Sequence, residues 1–447
     1  MGVATRRVVG VRIETAQGTH LDPAAADAIP MLRVPVTYTP TALEVERDTI
    51  RLSLTDVPDI FPGKSIVEIV FSFELTANSA YVAGAGVTSA MRPIFTRVMQ
   101  AAGYSFAAEQ TSNQGVYAYA LTSIAGAAPL RHNETIIGTT TAGVGNTVVG
   151  DTYGDDGALF IDQGATALAG SPFTGAAGAV ATVGARNVTE AFAWYPNSNL
   201  PDGAGGGQQC VSISVWADGK RLRAKGCMGN IEFQFRHGDA VVCACTFRGV
   251  VVDHTDTALP TAPNEAHKYP PTFLGSRLTL REAVNAPSNA NKYGTDGGGA
   301  GVIDGALNQM QLRTGNTVVL RENSLDANAV NFAQVPDREP AGSFNPDEVL
   351  NTSFDFYSRF VTGTPTRLRC TVNGPGATVP VYNDPATHNQ NSFAFIAPGV
   401  VFDGMTDGDR EAIQIIDASF RLTGGDYDTT AFGEAPGTDS ELVLLHF

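Results

Sequence analysis

From Val211 to Phe247 apolar and polar residues alternate with a period of two in three successive runs. Such a pattern suits a β-strand with one buried face and does not suit a helix. Val211, Ile213 and Val215 alternate with Ser212 and Ser214, and Asp218-Gly219 follows as a hairpin turn. Ile231, Phe233 and Phe235 alternate with Glu232, Gln234 and Arg236; His237-Gly238-Asp239 then turns the chain into Val241, Cys243, Cys245 and Phe247. The stretch predicts an antiparallel meander with one buried face. Gly226-Cys227-Met228-Gly229-Asn230 reads as a link of small residues between the first hairpin and the two long strands.

Similar strand patterns recur elsewhere. Residues 7–19 begin with a strand, Thr49–Leu54 read as another, and in Ser65–Leu75 the residues Val67, Ile69, Phe71, Phe73 and Leu75 share one face. Residues 89–103 predict a helix, with Pro93 in its first turn, an apolar stripe of Ile94, Phe95, Val98, Met99 and Ala102, and Gly103 after its end. From about 106 to 209 Gly, Ala, Thr and Ser dominate, so this stretch reads as an insertion, either an elaborated loop or a small β subdomain. Residues 253–275, rich in Pro, Thr and Ala, have a linker's composition. They divide the chain into a first domain over 1–260, a linker over 261–275 and a second domain over 276–447.

The second half repeats the order of the first. Leu278–Leu280 and Ala306–Leu320 read as strands, the latter turning at Gly315-Asn316. Asn345-Pro346-Asp347-Glu348 reads as a helix start, followed by Leu350, Phe354, Tyr357 and Val361 at helical spacing and by Gly363 as its stop. Arg367–Val372, Ser392–Ile396, Gln414–Leu422 and Glu441–Phe447 read as further strands. The fold class expected is therefore mainly β: two antiparallel β-sandwich or barrel domains, each with one packed α-helix, plus the insertion.

The chemistry-bearing residues point away from catalysis. HExxH and GxSxG are absent, and Gly63-Lys64-Ser65 lacks a Gly at position 58, which is Pro58, and leads into a strand. Cys243-Ala244-Cys245 places both thiols on one inward face, where cysteine acts as a small apolar residue and not as half of a zinc site. No enzyme activity, cofactor or metal is expected. The N-terminal stretch has no apolar signal-peptide core, and no run approaches the roughly 18 apolar residues of a membrane span. The net charge of −16 over 447 residues excludes a protein that grips phosphates broadly. Lys220, Arg221, Arg223 and Lys225, directly after Asp218-Gly219, form the one concentrated basic patch. A nucleic-acid contact is one use for it; pairing with acidic residues of a neighbouring subunit is the preferred one.

Taken in order, these motifs resemble the tail tube proteins of long-tailed, siphovirus-like bacteriophages. The resemblance rests on the N-terminal strand followed by Glu14-Thr15 and Gly18-Thr19, on Tyr195-Pro196-Asn197-Ser198 leading into the Asp-Gly hairpin, and on GALNQMQLRTGNTVVLREN, which resembles the strand pair opening a tube fold. It covers most of the chain outside roughly 120–190. The resemblance implies a structural virion protein whose subunits form rings by joining β-strands, the rings stacking into a tube. The implied partners are further copies of the chain, a tape-measure protein, and tail terminator and distal tail proteins, with double-stranded DNA passing transiently. Assembly in the host cytoplasm is implied too. Two tube folds in one chain imply trimeric rings imitating hexamers, with hexameric rings as the alternative. Asp218, Gly219, Lys220, Arg221, Arg223 and Lys225 are the expected inter-subunit contact. The competing reading is a carbohydrate-binding or adhesin-like β-protein of a virion or cell surface, with a β-rich hydrolase as a minor third.

Overall fold

A computed structural model describes residues 7–29, 32, 36–46, 60–78, 92–106, 115–125, 130, 134–138, 146–149, 158–163, 168, 171–175, 180–198, 207–217, 219–260, 270–273, 277–282, 307–349, 354–372, 392–424 and 441–446. The strand expected at Thr49–Leu54 lies outside them. The protein is mainly β and antiparallel throughout, with two short α-helices among the described residues.

The first half begins with β1 (Arg7–Ile13), β2 (Ala28–Ile29), β3 (Thr37–Glu46), β4 (Ile60–Glu74), α1 (Thr96–Ala101) and β5 (Tyr104–Phe106). The insertion holds β6 (Gly115–Ala125), β7 (Ile136–Gly138), β8 (Thr147–Val148), β9 (Ala158–Gln163), β10 (Phe173–Gly175) and β11 (Val180–Pro196). The meander follows as β12 (Val211–Ala217), β13 (Lys220–Arg236) and β14 (Val242–Asp256). The second half holds β15 (Arg277–Glu282), β16 (Leu307–Arg313), β17 (Asn316–Glu322), β18 (Val330–Arg338), β19 (Ala341–Pro346), α2 (Phe356–Thr362), β20 (Thr366–Val372), β21 (Phe393–Arg410), β22 (Ile413–Thr423) and β23 (Val443–His446).

The period-2 pattern lands where the alternation places it. Ile231, Phe233, Phe235, Val241, Cys243, Cys245 and Phe247 are all buried, as are Val67, Ile69, Phe71, Phe73 and Leu75. β4 lies beside β14 with Phe71 opposite Cys245 and Phe73 opposite Cys243, and the rings of Phe71 and Phe247 stack at 5.8 Å. Each such side chain withdrawn from water contributes about 1.5–3 kcal/mol. Two details differ from expectation. Ser212 and Ser214 on β12 are as buried as their apolar neighbours, so this strand has no wet face. The small-residue stretch 226–230 is no link between strands. It lies inside the 17-residue β13, whose pairing with β14 shifts register between Lys225 and Met228. Small residues accommodate that bulge: Gly226 has φ +59°, and a Cβ there would meet the Phe332 Cα at 2.7 Å.

The insertion is a small β subdomain with its own core, in which Tyr117, Leu159, Ile161 and Phe173 pack together. Its last strand, β11, runs on into the main sheet, pairing with β6 in the subdomain and with β5 and β23 beyond it. The first-half helix is shorter than 89–103. Pro93 lies in the turn ahead of it, its carbonyl accepting from Thr96 N at 3.1 Å. Phe95, Val98, Met99 and Ala102 are buried against the main core, so the stripe does cover the sheet.

Two second-half expectations are corrected. β16 and β17 do not pair with each other across Gly315-Asn316. β16 lies between β13 and β19, whereas β17 pairs with β18 in a separate hairpin. The helix does not start at Asn345. Asn345 sits in β19, where its Oδ1 accepts from Gln309 N at 2.9 Å, and Asp355 caps α2 by accepting from Ser358 N at 2.8 Å. Leu350 of the expected stripe lies outside the described residues, Phe354 is buried, and Tyr357 and Val361 face outward. Gly363 closes the helix at φ +65°.

The two halves are stitched together twice. Glu232–Arg236 of β13 pairs with Gln309–Arg313 of β16, and Phe192–Trp194 of β11 pairs with Leu444–His446 of β23. One apolar core spans both, with Phe395 of β21 edge-on to Phe233 at 5.1 Å and to Phe235 at 5.0 Å. Of the expected linker, 261–269 and 274–275 lie outside the described residues. Phe273 is buried beneath the turn between β13 and β14, and its N–H donates to Asp239 O at 2.8 Å.

Candidate functional site: a basic arm and two open strand edges

The arm begins where Ala217 pairs with Lys220 across a turn whose Gly219 has φ +89° and open space around it. Asp218 lies outside the described residues. Strand alternation on β13 sends Arg221, Arg223 and Lys225 to one face, opposite Leu222 and the buried Ala224. Three of the four cations find acidic partners within the chain. Arg221 donates to Asp22 Oδ1 at 2.9 Å and to Ser214 Oγ at 3.1 Å, with its guanidinium 5.0 Å over the Trp216 ring. Arg223 donates from Nε to Asp253 Oδ1 at 2.6 Å, from Nη2 to Asp253 Oδ2, and from Nη1 to Asp22 Oδ1 at 3.0 Å. Lys225 Nζ donates to Asp326 Oδ2 at 3.0 Å. Lys220 is exposed.

Asp22 is the hub, since His20 Nε2 also lies 2.7 Å from its Oδ1. Burial would raise its carboxyl, but hydrogen bonds from His20 and Arg223 and the charges of Arg221 and Arg223 outweigh burial and lower it from 3.8 to about 2. Asp253 is held low chiefly by its hydrogen bond from Arg223. A depressed carboxylate lends stability that is complete above its ordinary value and is lost as pH falls through the depressed one. Asp22 is therefore expected to stay ionised down to about pH 2. In Arg223→Ala its carboxyl resonance in NMR should titrate nearer 3.8, and an unmoved midpoint would remove Arg223 as the cause.

Behind the arm, the Glu14 carboxylate is buried. It accepts from Gly226 N at 2.7 Å, Ser212 Oγ at 2.8 Å and Gly18 N at 2.7 Å. This explains the Glu14-Thr15…Gly18 spacing: one carboxylate gathers the end of β1, the β12 strand and the β13 bulge.

The second feature was not legible in the sequence. Ladders run β3–β4–β14–β13–β16–β19–β22–β21–β20–β15 without interruption. Among the described residues β3 pairs only with β4, and β15 only with β20. Each end of the ladder thus presents a row of backbone donors and acceptors with no ladder partner among the described residues, the arrangement that templates strand addition. Apolar side chains also stand exposed, among them Leu325 between β17 and β18 and Tyr357 and Val361 on α2.

All five cysteines are buried free thiols, and burial raises each thiol above its usual value. Among the described residues no three His, Cys, Asp or Glu side chains gather as a metal site requires, and no helix is long and apolar enough to cross a membrane. No protein-family model matches the chain, and no curated protein matches it.

Proposed function

We propose that the chain is a self-assembling structural subunit of a phage tail tube, its copies forming rings that stack into a conduit for DNA. The observation that carries this reading is that β3 and β15 end one continuous antiparallel ladder and, among the described residues, each pairs on one side only. A copy that sets its β3 against the β15 of the next makes a head-to-tail contact, and a head-to-tail contact repeated about one axis closes into a ring. Closure also removes the exposed edges. The net charge of −16 suits a conduit that DNA must traverse without sticking. With one helix-bearing unit in each half, three copies supply six similar units per ring, and six copies are the alternative. In this reading a tape-measure protein fills the tube before DNA, terminator and distal tail proteins cap its ends, and the assembled protein resides in the virion.

Negative-stain imaging of the purified full chain tests the reading. Hollow rings or tubes with three-fold or six-fold end views are the expected result, and discrete monomers at all concentrations would sink it. The arm needs a more selective test than reversal of all its charges. Arg221, Arg223 and Lys225 are engaged by Asp22, Asp253 and Asp326, so reversing them disturbs the fold. Lys220→Glu changes only the exposed cation beside the turn. Fewer or shorter stacks at unchanged melting temperature are expected; normal stacking would leave the arm no part in subunit contact.

A further inference from the structure

The geometry points to a binding site for a neutral, polyhydroxylated ligand of the oligosaccharide class on the outer face of β13, β16, β19, β22 and β21. A cavity of about 450 Å³ lies there, large enough to hold one or two sugar rings.

Its shape follows from strand register. Gln234 pairs with Gln311, Gln311 with Ser343, Ser343 with Ser419, and Ser419 with Gly404. Their side chains form one row across five strands, shrinking from two amides through two hydroxymethyl groups to none. The floor is low because Ser343, Ser419 and Gly404 are small. A Cβ at Gly404 would meet Ser419 Oγ at 2.5 Å, so no larger residue fits without displacing that floor. Arg236, Gln309, Asp417 and Thr406 stand along one side as a wall.

The ligand class follows by elimination. Arg236 and Asp417 are the only charged residues of the lining and cancel in net charge, and Arg421 Nε lies 3.4 Å from Asp403 Oδ2, so the face has no surplus positive charge with which to hold a phosphate. The C-terminal part of β13 and the strands β16, β19 and β22 are each paired on both sides, so no backbone edge is open for a peptide strand to join. The core side chains of these strands face the other way: Phe235, Met310, Phe344 and Ala418 are buried, and Met405 is the one half-buried large apolar side chain in the lining, so no broad apolar floor favours a lipid or an aromatic ligand. What converges is a set of amides and hydroxyls able both to donate and to accept, the combination that matches hydroxyl groups on a ring. Among the described residues the side chains of Gln309, Gln311, Ser343 and Asp417 make no hydrogen bond to the rest of the chain, so they are available to a ligand. The site lies away from the β3 and β15 edges and does not depend on ring formation.

Saturation-transfer NMR on the full chain tests the site with maltose, cellobiose, lactose and N,N′-diacetylchitobiose, and with inorganic phosphate as the charged control. At least one disaccharide is expected to receive saturation. Gln311→Ala should weaken its binding tenfold or more, and Ser419→Trp, which fills the cavity from an exposed position, should abolish it at unchanged circular dichroism. The proposal is overturned by no transfer to any of the four, by phosphate binding in preference to them, or by affinity unchanged in Gln311→Ala. If Ser419→Trp does not fold, Gln311→Ala alone decides. Rings without sugar binding end this proposal and leave the tube reading standing; sugar binding without rings does the reverse.

Discussion

Phe395→Ala is expected to destabilise the protein by about 3–5 kcal/mol, and to do so in the half of the chain that does not contain it. Phe395 belongs to β21 and is fully buried, edge-on to Phe233 and Phe235 of β13. Removing the ring leaves a cavity bounded by side chains from both halves, and both edge-to-face contacts go with it, each worth about 0.5–1.5 kcal/mol beyond its area. Of the two tryptophans Trp194 pairs with Leu444 of β23 and senses both halves, so the measurement is made in a Trp194→Phe background, where Trp216 on β12, paired with Val8 and Arg221, reports on the first half. If the shared core unfolds as one unit, the tryptophan midpoint in urea falls together with the far-UV signal. A tryptophan midpoint that stays in place while the rest of the signal shifts would show that the halves unfold separately, despite the ladders joining them.

The parts of this architecture legible in the sequence are those fixed by neighbours along the chain. Val67 to Leu75 and Ile231 to Phe247 alternate because each strand has one face on the core, and a period of two is visible without knowing what lies across it. The turn at Gly219 and the helix stop at Gly363 were legible for the same reason, as positive-φ positions that glycine fills. What failed was a choice between two local signals. Asn345 and Asp355 are both good caps, and Asn345 has the stronger flanking sequence. Tertiary context decided against it, since the Gln309 N–H uses its side chain. The partners of the basic arm were illegible for another reason. The acidic partners expected were those of a neighbouring subunit, whereas the acids that Arg221 and Lys225 meet lie in the same chain, Asp22 199 residues from Arg221 and Asp326 101 from Lys225, and no spacing rule reaches so far. The cavity on the outer face draws on positions from 234 to 419 and exists only once the ladders set the register.

Glu14→Ala should cost about 2–4 kcal/mol, because three donors lose a buried acceptor at once. The donors are Gly226 N, Gly18 N and Ser212 Oγ, and each belongs to a different segment. The loss falls on the β13 bulge. Gly226 N–H is held there by Glu14, the next residue back is Lys225 with its bond to Asp326, and the Phe332 backbone is too close behind Gly226 for any side chain. Glu14 therefore helps hold the β17–β18 hairpin of the second half as well as its own strand. Its pH dependence separates this role from that of a surface carboxylate. Burial is the largest influence and raises the carboxyl above 4.5, against the bonds from Gly226, Ser212 and Gly18 and the charge of Lys225. A raised carboxyl means that the folded state holds the proton more tightly than the unfolded state. The stability it contributes is complete below 4.5 and is lost as pH rises through the raised value. Urea unfolding from pH 4 upward should show that decline in the native protein and not in Glu14→Gln, which has no proton to lose. Glu14→Gln should also be less stable than the native protein at the acid end, since an amide N–H turned toward Gly18 N–H accepts nothing. A native profile that instead rises with pH over this range would mean that the three hydrogen bonds outweigh burial, and that Glu14 holds the bulge as a carboxylate throughout.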